Sequence, residues 1–162
     1  MIMGMSVSAF TTLHVLISLA AILIGLAVVW GMLTANRTGR LIFVFLLTTA
    51  LTTLTGFLFP IAAFTPALGV GIFSTFILVV TLAALYAFRM RGPWRWVFVT
   101  GAVLSLYLNV FVLVVQSFQK VPALKALAPR GSEAPFIITQ GAVLAIFILA
   151  ALLTLRRFQP VA

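Results

Sequence analysis

Phe10-TTLHVLISLAAILIGLAVVWGM-Leu33 decides the fold: it is a long apolar run whose only ionisable side chain is His14. A helix rises about 1.5 Å per residue, so roughly 20 such residues cross the hydrocarbon core of a bilayer. Four more blocks of this kind follow, at Leu41–Phe59, Pro66–Phe88, Pro93–Phe118 and Ser132–Leu155. The chain is 64 % hydrophobic and 7 % charged, with a mean hydropathy of +1.33. That composition excludes a water-soluble globule. Residues 1–162 are therefore expected to form one all-α integral membrane bundle of five transmembrane helices, with no room for a soluble domain. A membrane β-barrel is excluded, because it needs alternating segments of about 10 residues.

The flanks of the blocks carry the punctuation. Met1–Ser8 has no Lys or Arg, so it lacks the basic start of a cleavable signal peptide, and the first block reads as a retained span. Thr65-Pro66 places a hydroxyl cap before a proline at the first helical position, and Gly92-Pro93 reads similarly. Ser132 followed by Glu133 predicts a cap and a carboxylate at the positive end of the last helix dipole. Between spans 4 and 5, Gln119–Gly131 is neither span nor tight link. Its run Pro122–Ala128 is expected to lie on the membrane surface as two amphipathic turns, Leu124 and Leu127 toward lipid and Lys125 toward water.

A net charge of +9 would suggest nucleic acid as the partner of a soluble protein. Here the bases sit at block ends, where topology and anionic headgroups account for them, and nucleic acid is rejected. With the N-terminus outside, the inner side holds Arg37, Arg40, Arg89, Arg91, Arg95, Arg156 and Arg157. The outer side holds Lys120, Lys125 and Arg130, and the Phe59–Thr65 loop has no base. The bias predicts N-terminus out and C-terminus cytoplasmic, with Trp94 and Trp96 flanking Arg95 as an anchor at the inner interface. An odd number of spans, with no repeat at any period, argues against two inverted transporter halves.

Polar residues inside the spans form stripes. Thr11, His14, Ser18, Ala21 and Gly25 fall within an arc of about 80° on span 1, and Gly101, Ser105, Asn109, Val112, Gln116 and Gln119 within a similar arc on span 4. On span 2, Thr48, Thr49, Thr52, Thr53, Thr55 and Gly56 share an arc of roughly 160°. In lipid such stripes turn toward protein. By depth, His14, Thr55, Asn109, Gln116 and Gln140 lie from the midplane outward, while Ile24–Val29 and Ile146–Leu153 are plain. The bundle is expected to be polarised, with hydrogen-bonding side chains toward the outside and an apolar plug toward the inside. Two accounts of the stripes compete. One is helix glue, with His14 bonded to Gln116, Asn109 or Gln140. The other is a ligand pocket lined by His14, Ser18, Thr55, Asn109, Gln116 and Gln140.

The inventory of reactive groups is short. There is no Cys, so no disulfide or thiolate chemistry arises. One His and one Glu make neither a bis-histidine haem site nor a closed metal site. No Asp, Glu, Lys or Arg lies deep in a span to relay protons or couple ions. Glu133 beside Arg130 lacks a partner for acid–base work, and Ser18, Ser74 and Ser105 lack an activating pair. An enzyme is the least expected class.

Two stretches, Thr55-GFLFPIAAFTPALGVG-Ile72 and Leu106-YLNVFVLVVQSFQKVPALKALA-Pro129, resemble a group of small polytopic inner-membrane proteins of Proteobacteria. The resemblance covers most of the chain after span 1. It implies a bacterial cytoplasmic-membrane location and brings no activity, cofactor or site residue with it. The expected function is a non-catalytic accessory or assembly subunit of a larger membrane complex, in contact with other subunits or with further copies of itself. The alternatives are a binding protein for a lipid, quinone or other small amphiphile, with Pro122–Ala128 as lid, and an uncoupled small-solute channel, against which the apolar inner halves count.

Overall fold

The computed structural model describes residues 1–35, 39–60 and 64–159. It has five long apolar helices: α1 (Val7–Leu33), α2 (Gly39–Phe57), α3 (Pro66–Leu82, continued as a π turn over Ala83–Ala87), α4 (Trp94–Lys120) and α6 (Ala134–Arg157). A short α5 (Pro122–Leu127) lies between the last two. The long helices are each apolar enough to cross a membrane and mark the chain as a multi-pass membrane protein. The block ends of the sequence move by a few residues, as fraying helix ends do. Arg37 lies outside the described residues, as does part of the charge-free Phe59–Thr65 loop.

Helix ends are satisfied in ways the sequence marks only in part. Ser6 caps α1 by accepting from the Ala9 N–H (3.2 Å), and Thr65 caps α3 by accepting from Leu68 (3.2 Å), with Pro66 following as expected. Ser132 is not the cap of α6. Glu133 takes that position, and its carboxylate folds back to accept from the backbone N–H groups of Ser132 and Arg130, both at 3.0 Å. The expected Trp94–Arg95–Trp96 anchor is kept in part, with the Arg95 guanidinium over the Trp96 ring, 5.9 Å from its centroid. Trp94 stacks flat on Phe88 (centroids 3.7 Å apart), Trp96 stays exposed, and Arg95 turns into the bundle. There its Nη1 donates to the carbonyls of Leu155 (3.1 Å) and Phe158 (2.6 Å), closing the end of α6. Arg157 reaches the Leu33 carbonyl at the end of α1 (3.5 Å). Between α3 and α4, Arg89, Met90 and Gly92 all have positive φ (50°, 54° and 54°), which turns the chain within a few residues.

Around this frame α4 is central, packed on α3, α6 and α1; α2 lies against α1 and α3, and α6 against α4 and α1. The buried apolar cluster (Val28, Met32, Phe45, Phe98, Val99 and Leu106 among it) draws on late α1, early α2, late α3 and early α4. It therefore fills the half of the bundle away from the N-terminus, as the apolar plug was expected to. The outer sides of α2 (Leu47, Leu51, Leu54) and α6 (Ile138, Leu149, Leu152) are exposed apolar surface. A bilayer covers such surface without cost, so the helices need only one buried stripe each.

Two glycines set the closest approaches. A Cβ on Gly25 would meet Leu106 Cδ1 at 2.6 Å and Phe45 Cε2 at 2.7 Å, so α1, α2 and α4 meet at that missing side chain. A Cβ on Gly101 would collide with Thr81 Oγ1 across the α3–α4 contact. Gly25→Leu and Gly101→Val are expected to destabilise the bundle by about 1–3 kcal/mol each, read from thermal unfolding in detergent. Leu54→Ala, on the lipid side, should stay within about 0.5 kcal/mol of the parent. Equal effects at all three positions would contradict this account.

Candidate functional site

Most hydroxyls in the spans bond to their own helix. Thr11, Ser18, Thr48, Thr53, Thr75, Thr81 and Thr154 each donate to the carbonyl four residues earlier, at 2.6–3.0 Å. This conceals a polar group in lipid without any partner helix, and it withdraws those protons from other chemistry.

Besides the two arginines at helix ends, three side-chain bonds cross between helices among the described residues. His14 Nδ1 lies 2.8 Å from Thr55 Oγ1, joining α1 to the end of α2. The Thr55 hydroxyl has one proton and two carbonyls within reach, Leu51 (2.7 Å) and Thr52 (3.1 Å). When that proton stays on a carbonyl, the ring donates from Nδ1–H to the Thr55 oxygen and Nε2 is the acceptor left over, a tautomer assigned from the bonding pattern. Phe59 stands edge-on to the imidazole at 5.4 Å and to Phe10 at 5.2 Å, closing the site from above. Asn109 Nδ2 donates to Thr49 Oγ1 at 3.4 Å, a long bond from α4 to α2. Gln140 Nε2 donates to the Phe111 carbonyl at 3.2 Å, joining α6 to α4.

Five of the six residues of the expected pocket thus divide among three seams, and Gln116 joins none of them. His14, Ser18 and Thr55 form one group, with Ser18 bonded to the His14 carbonyl at 2.7 Å. Asn109 meets α2 at Thr49, six residues before Thr55 and so about 9 Å along the helix axis. Gln140 works at the α4–α6 seam. Gln116 is half-buried, and its Oε1, like Gln140 Oε1, Thr52 Oγ1 and Ser105 Oγ, is buried with no hydrogen-bond partner. The partner of His14 is Thr55; no bond joins it to Gln116, Asn109 or Gln140. Small residues divide in the same way: Gly31 turns inward, while Gly141 and Ala145 on α6 face out.

Two cavities stand out, and none of the six residues lines either. One, of about 220 Å³, is an apolar crevice between α1, α4 and α6 near Val29, Leu33 and Ala150. The other, of about 360 Å³, lies at the N-terminal end of the bundle, where α4, α5 and α6 meet. Thr49 was legible only as one threonine of a stripe, and Phe111 enters through its carbonyl, which no side-chain pattern reveals.

Among the described residues no group of three or more His, Cys, Asp and Glu side chains is placed to hold a metal ion. Glu133 is exposed. Desolvation is the largest single effect and acts to raise its pKa, but hydrogen bonds from the backbone at Arg130, Ser132, Glu133 itself and Gly131 together outweigh it and hold the carboxyl below the usual carboxylate range. No match is found for this chain among protein-family models, curated proteins or solved structures.

Double-mutant cycles test the seams. The His14→Ala and Thr55→Val pair should couple by about 0.6 kcal/mol, below a ceiling of about 1.7. The longer Asn109→Leu and Thr49→Val pair should couple less, and the reverse order would refute the geometry. For Glu133, a folded pKa held low contributes stability above the unfolded value, lost as pH falls through the folded one. Protection of the Arg130 and Ser132 amides, taken as exchange relative to the intrinsic rate at each pH, should therefore fall as pH drops through the carboxylate's folded value, and Glu133→Gln should abolish that loss of protection.

Proposed function

We propose that this chain is a non-catalytic integral membrane subunit that acts by helix contact, as an accessory or assembly component of a larger complex in a bacterial cytoplasmic membrane. The observation that carries this reading is the outer face of α6. Gly141 stands exposed there, with nothing within 4 Å of the position a Cβ would take. Ala145 lies one turn on, and the exposed Ile137, Ile138, Leu144 and Ile148 border the pair. A shallow notch between bulky ridges lets a second transmembrane helix approach closely, and close approach is what drives helix association where water is absent.

The interior supports the same reading. Its polar side chains mostly bond within their own helix, three bonds join neighbouring helices, and the half away from the N-terminus is filled. Orientation follows the basic residues. Arg40, Arg89, Arg91, Arg95, Arg156 and Arg157 lie at the face opposite the N-terminus, against Lys120, Lys125 and Arg130 at the N-terminal face. That bias supports an N-terminus outside and a C-terminus in the cytoplasm.

Because the chain has no native Cys, a Gly141→Cys variant gives a clean cross-linking probe in native membranes. One adduct of defined mass is expected, either a second copy or another subunit, and Gly141→Ile should abolish association. A gently solubilised protein that runs as a free monomer, with no adduct from the variant, would remove this proposal.

A further inference from the structure

The cavity at the N-terminal end of the bundle is built unlike the polar seams. Its floor is apolar: Val115 and Phe118 from the last turns of α4 and Phe136 from the first turn of α6, the two rings edge to face at 5.4 Å. Its rim is polar and basic, with Gln119, Lys125 and Arg130. A volume of about 360 Å³ falls within the usual range of small-ligand sites, roughly 300–1,000 Å³.

Charge decides what it fits. Among the described residues neither Lys125 nor Arg130 has an ion-pair partner. The chain's one acid, Glu133, lies three residues from Arg130, yet its carboxylate is held by backbone N–H groups and not by either cationic side chain. That carboxylate lies at the start of α6 and offsets the positive end of its dipole, so the two cations carry the attraction. Two cations above an aromatic floor complement an anionic head with an apolar tail.

We infer that this cavity binds an anionic phospholipid of the leaflet at the N-terminal face, its phosphate between Lys125 and Arg130 and its upper chain against Val115, Phe118 and Phe136. A free inorganic anion would leave the aromatic floor uncovered, and a zwitterionic lipid would bring its own cation to a rim that already has two. The short α5 is the cover. Its Leu124 is half-buried and Ala128, just beyond it, is buried, so the segment is anchored at the cavity while Lys125 stays exposed. The site involves neither His14 nor the outer face of α6, and it stands whether or not α6 has a partner helix.

Native mass spectrometry of the delipidated full chain, titrated with phosphatidylglycerol and with phosphatidylcholine of the same acyl chains, tests this. One phosphatidylglycerol is expected to be retained at least several-fold more tightly. Removing each cation should cost roughly five-fold, so Lys125→Gln with Arg130→Gln should erase the preference. Arg89→Gln with Arg91→Gln, the same charge change at the opposite face, should leave it intact. Val115→Trp keeps every charge and fills the floor, and should weaken retention of phosphatidylglycerol. The inference is overturned if the wild type retains both lipids equally, or if the opposite-face variant loses as much. Undiminished binding in the Lys125 and Arg130 variant overturns it too, and so does displacement by millimolar inorganic phosphate.

Discussion

In hydrocarbon a polar group has no water to fall back on, and the whole structure follows from how this chain meets that condition. Backbone amides are satisfied inside helices, which accounts for the five long helices. Most of the hydroxyls satisfy themselves by bonding back to the carbonyl four residues earlier, Thr52 and Ser105 excepted. At helix ends, where four carbonyls have no partner of their own, the solution is arginine: Arg95 serves the end of α6 and Arg157 the end of α1. Those two bases would stand where they do even if topology were indifferent to charge. Arg40, Arg89, Arg91 and Arg156 have no such bond among the described residues and carry the orientational bias more directly.

Close approach is the second condition, since van der Waals contact must replace the hydrophobic effect between helices. Gly25 and Gly101 provide it at two different seams, and both are sites where larger residues already crowd the space a side chain would take. Phe45 and Leu106 fill the gap over Gly25, and Thr81 fills the one over Gly101. The half of the bundle around them is consequently dense. The other half is joined by a few hydrogen bonds, of which His14 to Thr55 is the shortest and Asn109 to Thr49 the longest.

Fold class, the five spans and the polarity of the bundle were legible because they depend on composition and on a 3.6-residue period. Thr65-Pro66 was legible because a cap and a proline act within four residues. The pairings were not. The arc on span 4 puts Gly101 and Asn109 on one side, but Gly101 meets α3 and Asn109 meets α2, since a central helix has neighbours on several sides. His14 was sought by amides and found by a threonine, because one turn of axial offset decides the partner and no sequence states that offset. Glu133 and Ser132 exchanged roles for a similar reason: two residues compete for one cap position, and Gly131, at φ 71°, bends the chain so that the carboxylate faces backward.

What distinguishes α6 is how little of it is committed. Thr154 is its one buried residue among those described, and its specific bonds lie toward its ends: Gln140 to the Phe111 carbonyl near the start, and Arg95 to the carbonyls at the finish. Between those points one side of the helix packs on α4 and α1 through Phe147, edge-on to Tyr107 at 5.7 Å, and through Ala150, Ala151 and Leu155, while the other side touches nothing in the bundle. Its central outer face is then free to present Gly141 and Ala145 to another helix, and its start stands beside Lys125 and Arg130. The same economy in the use of hydrogen bonds that lets the bundle exist in lipid leaves α6 as the element best placed to meet something outside it.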